Sequence, residues 1–143
     1  GLRLGLRAFD DATGRFGEGQ LGFMGARADA AAFASAQHLA THIQETLGRP
    51  VTLVCPHQQG IQRVAWCSGG AQSYFEAAIA AGAQAFITGE ISEPQAHYAR
   101  ECGVAYLACG HHATERYGAA AVGAHVASAL GLEHVFIDIE NPA

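Results

Sequence analysis

Several familiar signals are missing from these 143 residues, and each absence excludes something. No C-x-x-C pair occurs. Four cysteines, Cys55, Cys67, Cys102 and Cys109, stand singly, a spacing that suits neither a zinc ribbon nor a disulfide scaffold. They read as reduced, mostly buried thiols of a cytoplasmic protein. No cluster of basic residues offsets the formal net charge of -5. An acidic chain without a basic stripe is a poor partner for nucleic acid, because phosphate neutralisation dominates that affinity. No apolar run approaches the roughly 20 residues of a membrane span. The opening GLRLGLRAFDD has arginines but only isolated leucines, so no signal peptide is expected. Methionine occurs once, as Met24, and the chain opens on Gly1. That start fits either a trimmed initiator or a piece of something longer. A P-loop lysine and a G-x-S-x-G elbow are also missing.

Half of the residues are hydrophobic and 15% are charged, the balance of one globular unit able to bury a core. Residues 10–20, DDATGRFGEGQ, are rich in turn formers and read as a loop. LGFMG (21–25) is a short strand candidate, and ADAAAFASAQ is ambiguous between helix and extended chain. Leu39, Ile43 and Leu47 then recur at helical spacing, with Gly48 and Pro50 as the stop. Alternation follows. VTLVC (51–55), RVAWC (63–67), AFIT (85–88), VAYLAC (104–109) and HVFIDI (134–139) read as strands. Helices are expected over QSYFEAAIAAG, over EPQAHYARECG, and from GHH to Gly131. The pattern predicts an α/β fold, a mixed and largely parallel sheet with flanking helices, over residues 1–143 as a single domain.

Ligands of such sheets gather outside the carboxyl ends of the strands. Three consecutive strand ends carry unusual loops: Cys67-Ser68-Gly69-Gly70, Thr88-Gly89-Glu90 and Gly110-His111-His112. If the strands are parallel, the loops share one edge. His111 and Glu115 are one helical turn apart, and an imidazole with a carboxylate suits zinc, iron or manganese. His112 points elsewhere, as support or proton carrier. The bland alternative is a helix start, with Thr114 and Glu115 satisfying first-turn amides. His38 and His42 flank Leu39 and Ile43 and are expected near solvent. Glu93 and His97 repeat the spacing, but Ser92-x-x-Gln95 is a capping-box pattern that explains most of that stretch. His97 is left as a residue that could face a cleft, and His57 as a loop residue. CSGGA is either a small anion cradle or a tight turn. Glu90 is either a base or ligand, or a solvated carboxylate.

Taken together, RVAWCSGGAQSYFEAAIAAGAQAFITGEISEPQAHYARECGVAYLACGHHATERYG and the closing FIDIENPA resemble the family of GTP cyclohydrolase 1 type 2 homologues. This is the DUF34 or Nif-three-like family, of the YbgI type. The likeness is strong from about Arg63 to Ala143. The resemblance implies an α/β protein with a dinuclear metal site, usually in a hexameric ring built from its own copies. Carried over position by position, His111 and Glu115 are two of its ligands. The family's upstream His-His pair and Asp have no match, so the chain is expected to be the C-terminal portion of a longer member. The implied cofactor is a divalent transition metal, zinc, iron or manganese, with two ions per intact member. The implied activity is metal-dependent hydrolysis that opens a purine nucleotide ring, with Glu90, His97 and His112 as candidates for proton transfer. The rival expectations are a non-catalytic metal-binding regulatory or interaction module, and a plain α/β scaffold whose GHH loop is only a helix start.

Overall fold

The computed structural model describes residues 22–25, 33–54 and 58–143. The expectations for the N-terminal loop at 10–20, for Cys55 and for His57 lie outside the described residues. Among the described residues, five strands form one sheet in the order β1-β3-β4-β5-β2: β1 (Gly22–Gly25), β2 (Thr52–Val54), β3 (Arg63–Trp66), β4 (Ala85–Thr88) and β5 (Ala105–Ala108). The pairs β3–β4 and β4–β5 are parallel, whereas β1 and β2 close the two edges antiparallel. The core is therefore parallel, as the alternation with helices demands. The short strands at 22–25 and 52–54 seal it from both sides.

Side chains alternate across this sheet. Val64, Ala85, Ile87, Ala105 and Leu107 face helix α1 (Ala36–Leu47), which buries Ala36, Leu39, Ala40 and Ile43 against them. Each fully buried Leu or Ile contributes roughly 1.5–3 kcal/mol. Ser35 caps α1 by accepting from the His38 amide at 3.1 Å, and left-handed Gly48 ends it. His38 is exposed and His42 half-buried, and both rings lie against Phe33. Ala65, Phe86, Tyr106 and Ala108 take the other face, beneath helices α2 (Phe75–Ala80) and α3 (Glu93–Cys102). Phe75, Phe86 and Tyr106 meet there with ring centroids 4.8–5.6 Å apart, the separation that aromatic pairs favour. A short 3₁₀ turn, Gln72–Tyr74, leads into α2.

Beyond β5 come α4 (His111–Glu115) and α5 (Tyr117–Leu130), broken at Arg116 rather than continuous as the sequence suggests. Residues 132–143 form no strand, which corrects the expectation for HVFIDI. The alternation is present, but a strand needs a partner edge, and β1 and β2 already flank the parallel core. The segment instead runs back along α5. Asp138 pairs with Arg116, the Arg49 guanidinium donates to the Pro142 and Ala143 oxygens, and Val135, Ile137 and Ile139 stay exposed. The capping box also fails. Ser92 is the extended N-cap of α3 but makes no side-chain cap; its hydroxyl accepts from Gln72 Nε2 at 3.3 Å, while Gln95 Nε2 donates to the Gln72 carbonyl. Among the described residues no helix is long and apolar enough to cross a membrane.

Candidate metal centre

Parallel register brings the ends of β3, β4 and β5 level, and their loops are laced together by the backbone. Cys67 N donates to Ile87 O at 3.0 Å, Cys109 N to Thr88 O at 2.8 Å, Gly89 N to Gly69 O at 2.9 Å, and Gly110 N to Gly89 O at 2.9 Å. The buried Thr88 hydroxyl adds a bond to Gly69 O at 3.1 Å. Gly69 N donates to the buried Thr114 hydroxyl at 2.9 Å, which itself donates back to the Gly110 and His111 carbonyls. The shared edge read from the three loops is thus a continuous hydrogen-bonded rim. Within CSGGA the Gly69 amide and carbonyl and the Ala71 amide are all spent on protein partners.

Two glycines make this rim possible. Gly69 has φ +70°, and a Cβ there would lie 2.8 Å from Glu115 Cδ and 3.1 Å from His111 Nε2. A side chain would fill the space in front of both groups. At Gly89 a Cβ would lie 2.7 Å from Gly69 O and 2.7 Å from His111 Cα, backbone on both sides. Here glycine is required by close approach.

His111 opens α4 and Glu115 closes it. Their facing atoms, Nε2 and Oε2, are 3.1 Å apart. The other ring nitrogen, Nδ1, meets Glu90 Oε1 at 2.5 Å. Glu90 Oε2 accepts from Gln72 Nε2 at 3.3 Å, and the Glu90 carbonyl accepts from the Tyr106 hydroxyl at 2.7 Å. The side chains of His111, Glu90 and Glu115 are 41%, 45% and 50% exposed, so the group opens to solvent instead of being sealed in apolar packing. The Glu90 hydrogen bond, with the Glu115 charge behind it, raises the His111 pKa above its ordinary value. The His111 hydrogen bond, helped by Gln72, holds the Glu90 carboxyl below its own. Just beneath, partial burial and then the Glu115 charge raise the Cys67 thiol. Burial pushes Cys109 up to about 12, against the pull of Arg49. Cys102 is exposed at the end of α3, unlike the buried thiol expected there.

The donor chemistry of the facing pair fits a transition metal. An imidazole nitrogen and a carboxylate oxygen are ligands that zinc, iron and manganese accept, and the missing Cβ at Gly69 leaves room in front of them. They supply part of a ligand set: among the described residues no group of three or more His, Cys, Asp or Glu is arranged to hold an ion.

The remaining candidates lie differently. His112 turns from the pair. Its amide donates to Ala143 O at 3.1 Å, so the helix start is satisfied by the returning C-terminal segment, not by Thr114 or Glu115. Its Nε2 is buried without a hydrogen-bond partner. His97 is exposed on α3, where it lines a groove with Glu93, Pro94, Tyr98 and Glu101, none of them rim residues. Sequence reasoning missed Gln72 and Arg49 as supports of this region, and gave Thr114 the role of a first-turn cap, whereas its hydroxyl accepts from Gly69 N. Gln72 and Arg49 carry no local signal, since their partners are 18 and 94 residues away.

A family model described as Duf34/NIF3 (NGG1p interacting factor 3) matches residues 3–142. The chain belongs to the Duf34/NIF3 family. Among its relatives, the GTP cyclohydrolase 1 type 2 homolog of Allochromatium vinosum is 52% identical over 102 residues, 71% of this chain and 40% of that protein. The protein of the same name from Pseudomonas aeruginosa is 52% identical over 104 residues, 73% of this chain and 41% of that protein. This Duf34/NIF3 chain thus spans about two fifths of the length of these curated relatives. The solved structure of protein ybgI, described as of unknown function, superposes with a TM-score of 0.75 at 39% identity, over 86% of this chain and 53% of that one. A Bacillus cereus protein related to NIF3 gives a TM-score of 0.67 at 20% identity, over 86% of this chain and 34% of that one, and speaks for the fold.

Proposed function

We propose that this Duf34/NIF3 chain contributes His111 and Glu115 to the dinuclear metal centre of a hydrolase that opens a purine nucleotide ring with an activated water. The observation that carries the reading is the 3.1 Å approach of His111 Nε2 to Glu115 Oε2 at an open rim backed by Gly69. A divalent zinc, iron or manganese ion bound there supplies Lewis acidity and makes water a nucleophile near neutral pH. The chain's own residues do the rest. His111 offers the nitrogen and Glu115 the offsetting negative charge. The rim hydrogen bonds fix the start of α4, so the two donors keep their spacing. Of the three proton-transfer candidates, Glu90 is the one in contact with the pair. In this reading the remaining ligands and the nucleotide-binding surface come from outside the described residues or from further copies, as the ring assembly of the resemblance implies.

A second reading is a metal-binding regulatory or interaction module without turnover. It draws support from the two-donor set. Elemental analysis after zinc or manganese loading tests both, on this chain, on its His111→Ala variant and on the full-length Pseudomonas aeruginosa relative, alongside GTP ring-opening assays. The hydrolase reading expects metal in this chain that His111→Ala loses, and metal with turnover in the full-length relative. Metal without turnover in the relative favours the module. Equal metal in wild type and His111→Ala removes both, and leaves the scaffold role.

A further inference from the structure

We infer that Glu90 is a positioning residue: its carboxylate fixes the orientation and tautomer of His111, so that Nε2, and not Nδ1, is the nitrogen offered to a metal beside Glu115. The inference rests on His111 and Glu115 being metal ligands, and adds to it a reason why one ring nitrogen is chosen.

An ionised carboxylate accepts hydrogen bonds and cannot donate them. Glu90 Oε1 stands 2.5 Å from Nδ1, so the hydrogen between them belongs to Nδ1. Nε2 also faces a carboxylate, Glu115 at 3.1 Å, but the Glu90 contact is the shorter, so the single hydrogen of the neutral ring goes to Nδ1 and the lone pair to Nε2. A histidine ligand whose other nitrogen is bound by a carboxylate has a fixed ring plane and a more basic donor atom.

Glu90 is itself held. Gln72 Nε2 engages Oε2 at 3.3 Å, and the Tyr106 hydroxyl holds the Glu90 carbonyl at 2.7 Å. The Glu90 carboxylate also lies over Gly70, where a Cβ would stand 3.4 Å from it. Tyr106 is fully buried, so this anchor belongs to the core. The Gly89 close approach sets the Glu90 loop against the start of α4, which fixes the reach between carboxylate and ring. With Oε1 engaged by His111 and Oε2 by Gln72, the Glu90 carboxylate is held against the imidazole. No other carboxylate in the described residues touches Nδ1.

The test uses the chain with ¹⁵N-labelled histidine and the variants Glu90→Ala and Glu90→Gln, first checked for native amide spectra. In the metal-free chain, above the pH range in which imidazole is protonated, the His111 ring nitrogens report the tautomer. Zn²⁺ titration then reports which nitrogen responds and at what concentration. Wild type is expected to carry its hydrogen on Nδ1 and to respond at Nε2. Glu90→Ala is expected to mix the tautomers and to weaken Zn²⁺ binding about 10- to 100-fold. Glu90→Gln, whose amide oxygen can still accept from Nδ1, is expected to restore most of both. A Glu90→Ala chain with wild-type tautomer and Zn²⁺ affinity within a factor of about two overturns the inference and leaves the ligand assignment standing. A wild-type chain whose His111 does not respond to Zn²⁺ overturns the ligand assignment, and the inference with it.

Discussion

The strand-end rim and the outer side of α3 each carry a carboxylate and an imidazole one helical turn apart: His111 and Glu115 on the first, Glu93 and His97 on the second. By spacing they are equivalent. In the fold they are not. The rim pair meets at 3.1 Å, is backed by a glycine, and has a second carboxylate on the far ring nitrogen. Among the described residues the side chains of Glu93 and His97 make no hydrogen bond or ion pair, and they line a surface groove with Pro94 and Tyr98. A turn of helix brings two donors within reach of each other. What distinguishes a site is the backbone behind the pair, here the turn of Gly69 and the contact made by Gly89.

That contrast can be broken by filling the backing. The largest effect is expected from Gly89→Ala, whose Cβ would press on backbone at both Gly69 and His111. Overpacking of this kind costs about 1–3 kcal/mol or more, read as a lower denaturant midpoint with loss of metal uptake. An unchanged midpoint would contradict the close approach. Gly69→Ala should cost less in stability, about 1–2 kcal/mol for a left-handed residue with a side chain. Its Cβ also displaces the Glu115 carboxylate, so metal uptake should fall further than stability does. The matching His97→Ala change on α3 should leave uptake as in wild type, measured by the same elemental analysis.

Thiol chemistry sharpens the same comparison. Cys102, at the exposed end of α3, should react with a thiol reagent in the native protein. Cys109, buried under the rim and pushed up to about 12, should stay silent until unfolding. Mass mapping of labelled peptides distinguishes the two, and early labelling of Cys109 would mean that the rim opens.

The smallest effect concerns pH. The raised His111 pKa and the lowered Glu90 pKa mean that the pair interacts most between the ordinary carboxylate and imidazole ranges. The histidine contribution is present at low pH and lost as pH rises through the raised folded pKa. The carboxylate contribution is present above its ordinary range and lost as pH falls through the lowered folded value. Both groups are solvent-facing, so the effect on melting should be slight. An NMR titration of the metal-free chain should nevertheless place His111 above the ordinary imidazole range, and Glu90→Gln should bring it back down.

Much of the fold was legible because it rests on local signals. AFIT is the strand expected, β3 and β5 fall within their apolar runs, and Gly48 ends α1 in a left-handed turn. The rim followed from order alone, since consecutive parallel strands must place their loops on one edge. What local pattern could not supply was partnership. HVFIDI has the alternation of a strand but no free edge beside the parallel core. Ser92 has the sequence of a capping box, but Gln72, 20 residues away, takes its hydroxyl. The Glu90–His111 contact spans 21 residues; TGE and GHH each stand out in the sequence, but only the fold puts the carboxylate on Nδ1.

What His111 and Glu115 hold decides the function of the rim. Crystals of this chain soaked in Zn²⁺, with anomalous difference maps collected on both sides of the zinc edge, test it most directly. A peak is predicted within bonding reach of His111 Nε2 and a Glu115 carboxylate oxygen, absent from His111→Ala crystals. A map with zinc bound at His97, His38 or His42, and none between His111 and Glu115, would contradict it.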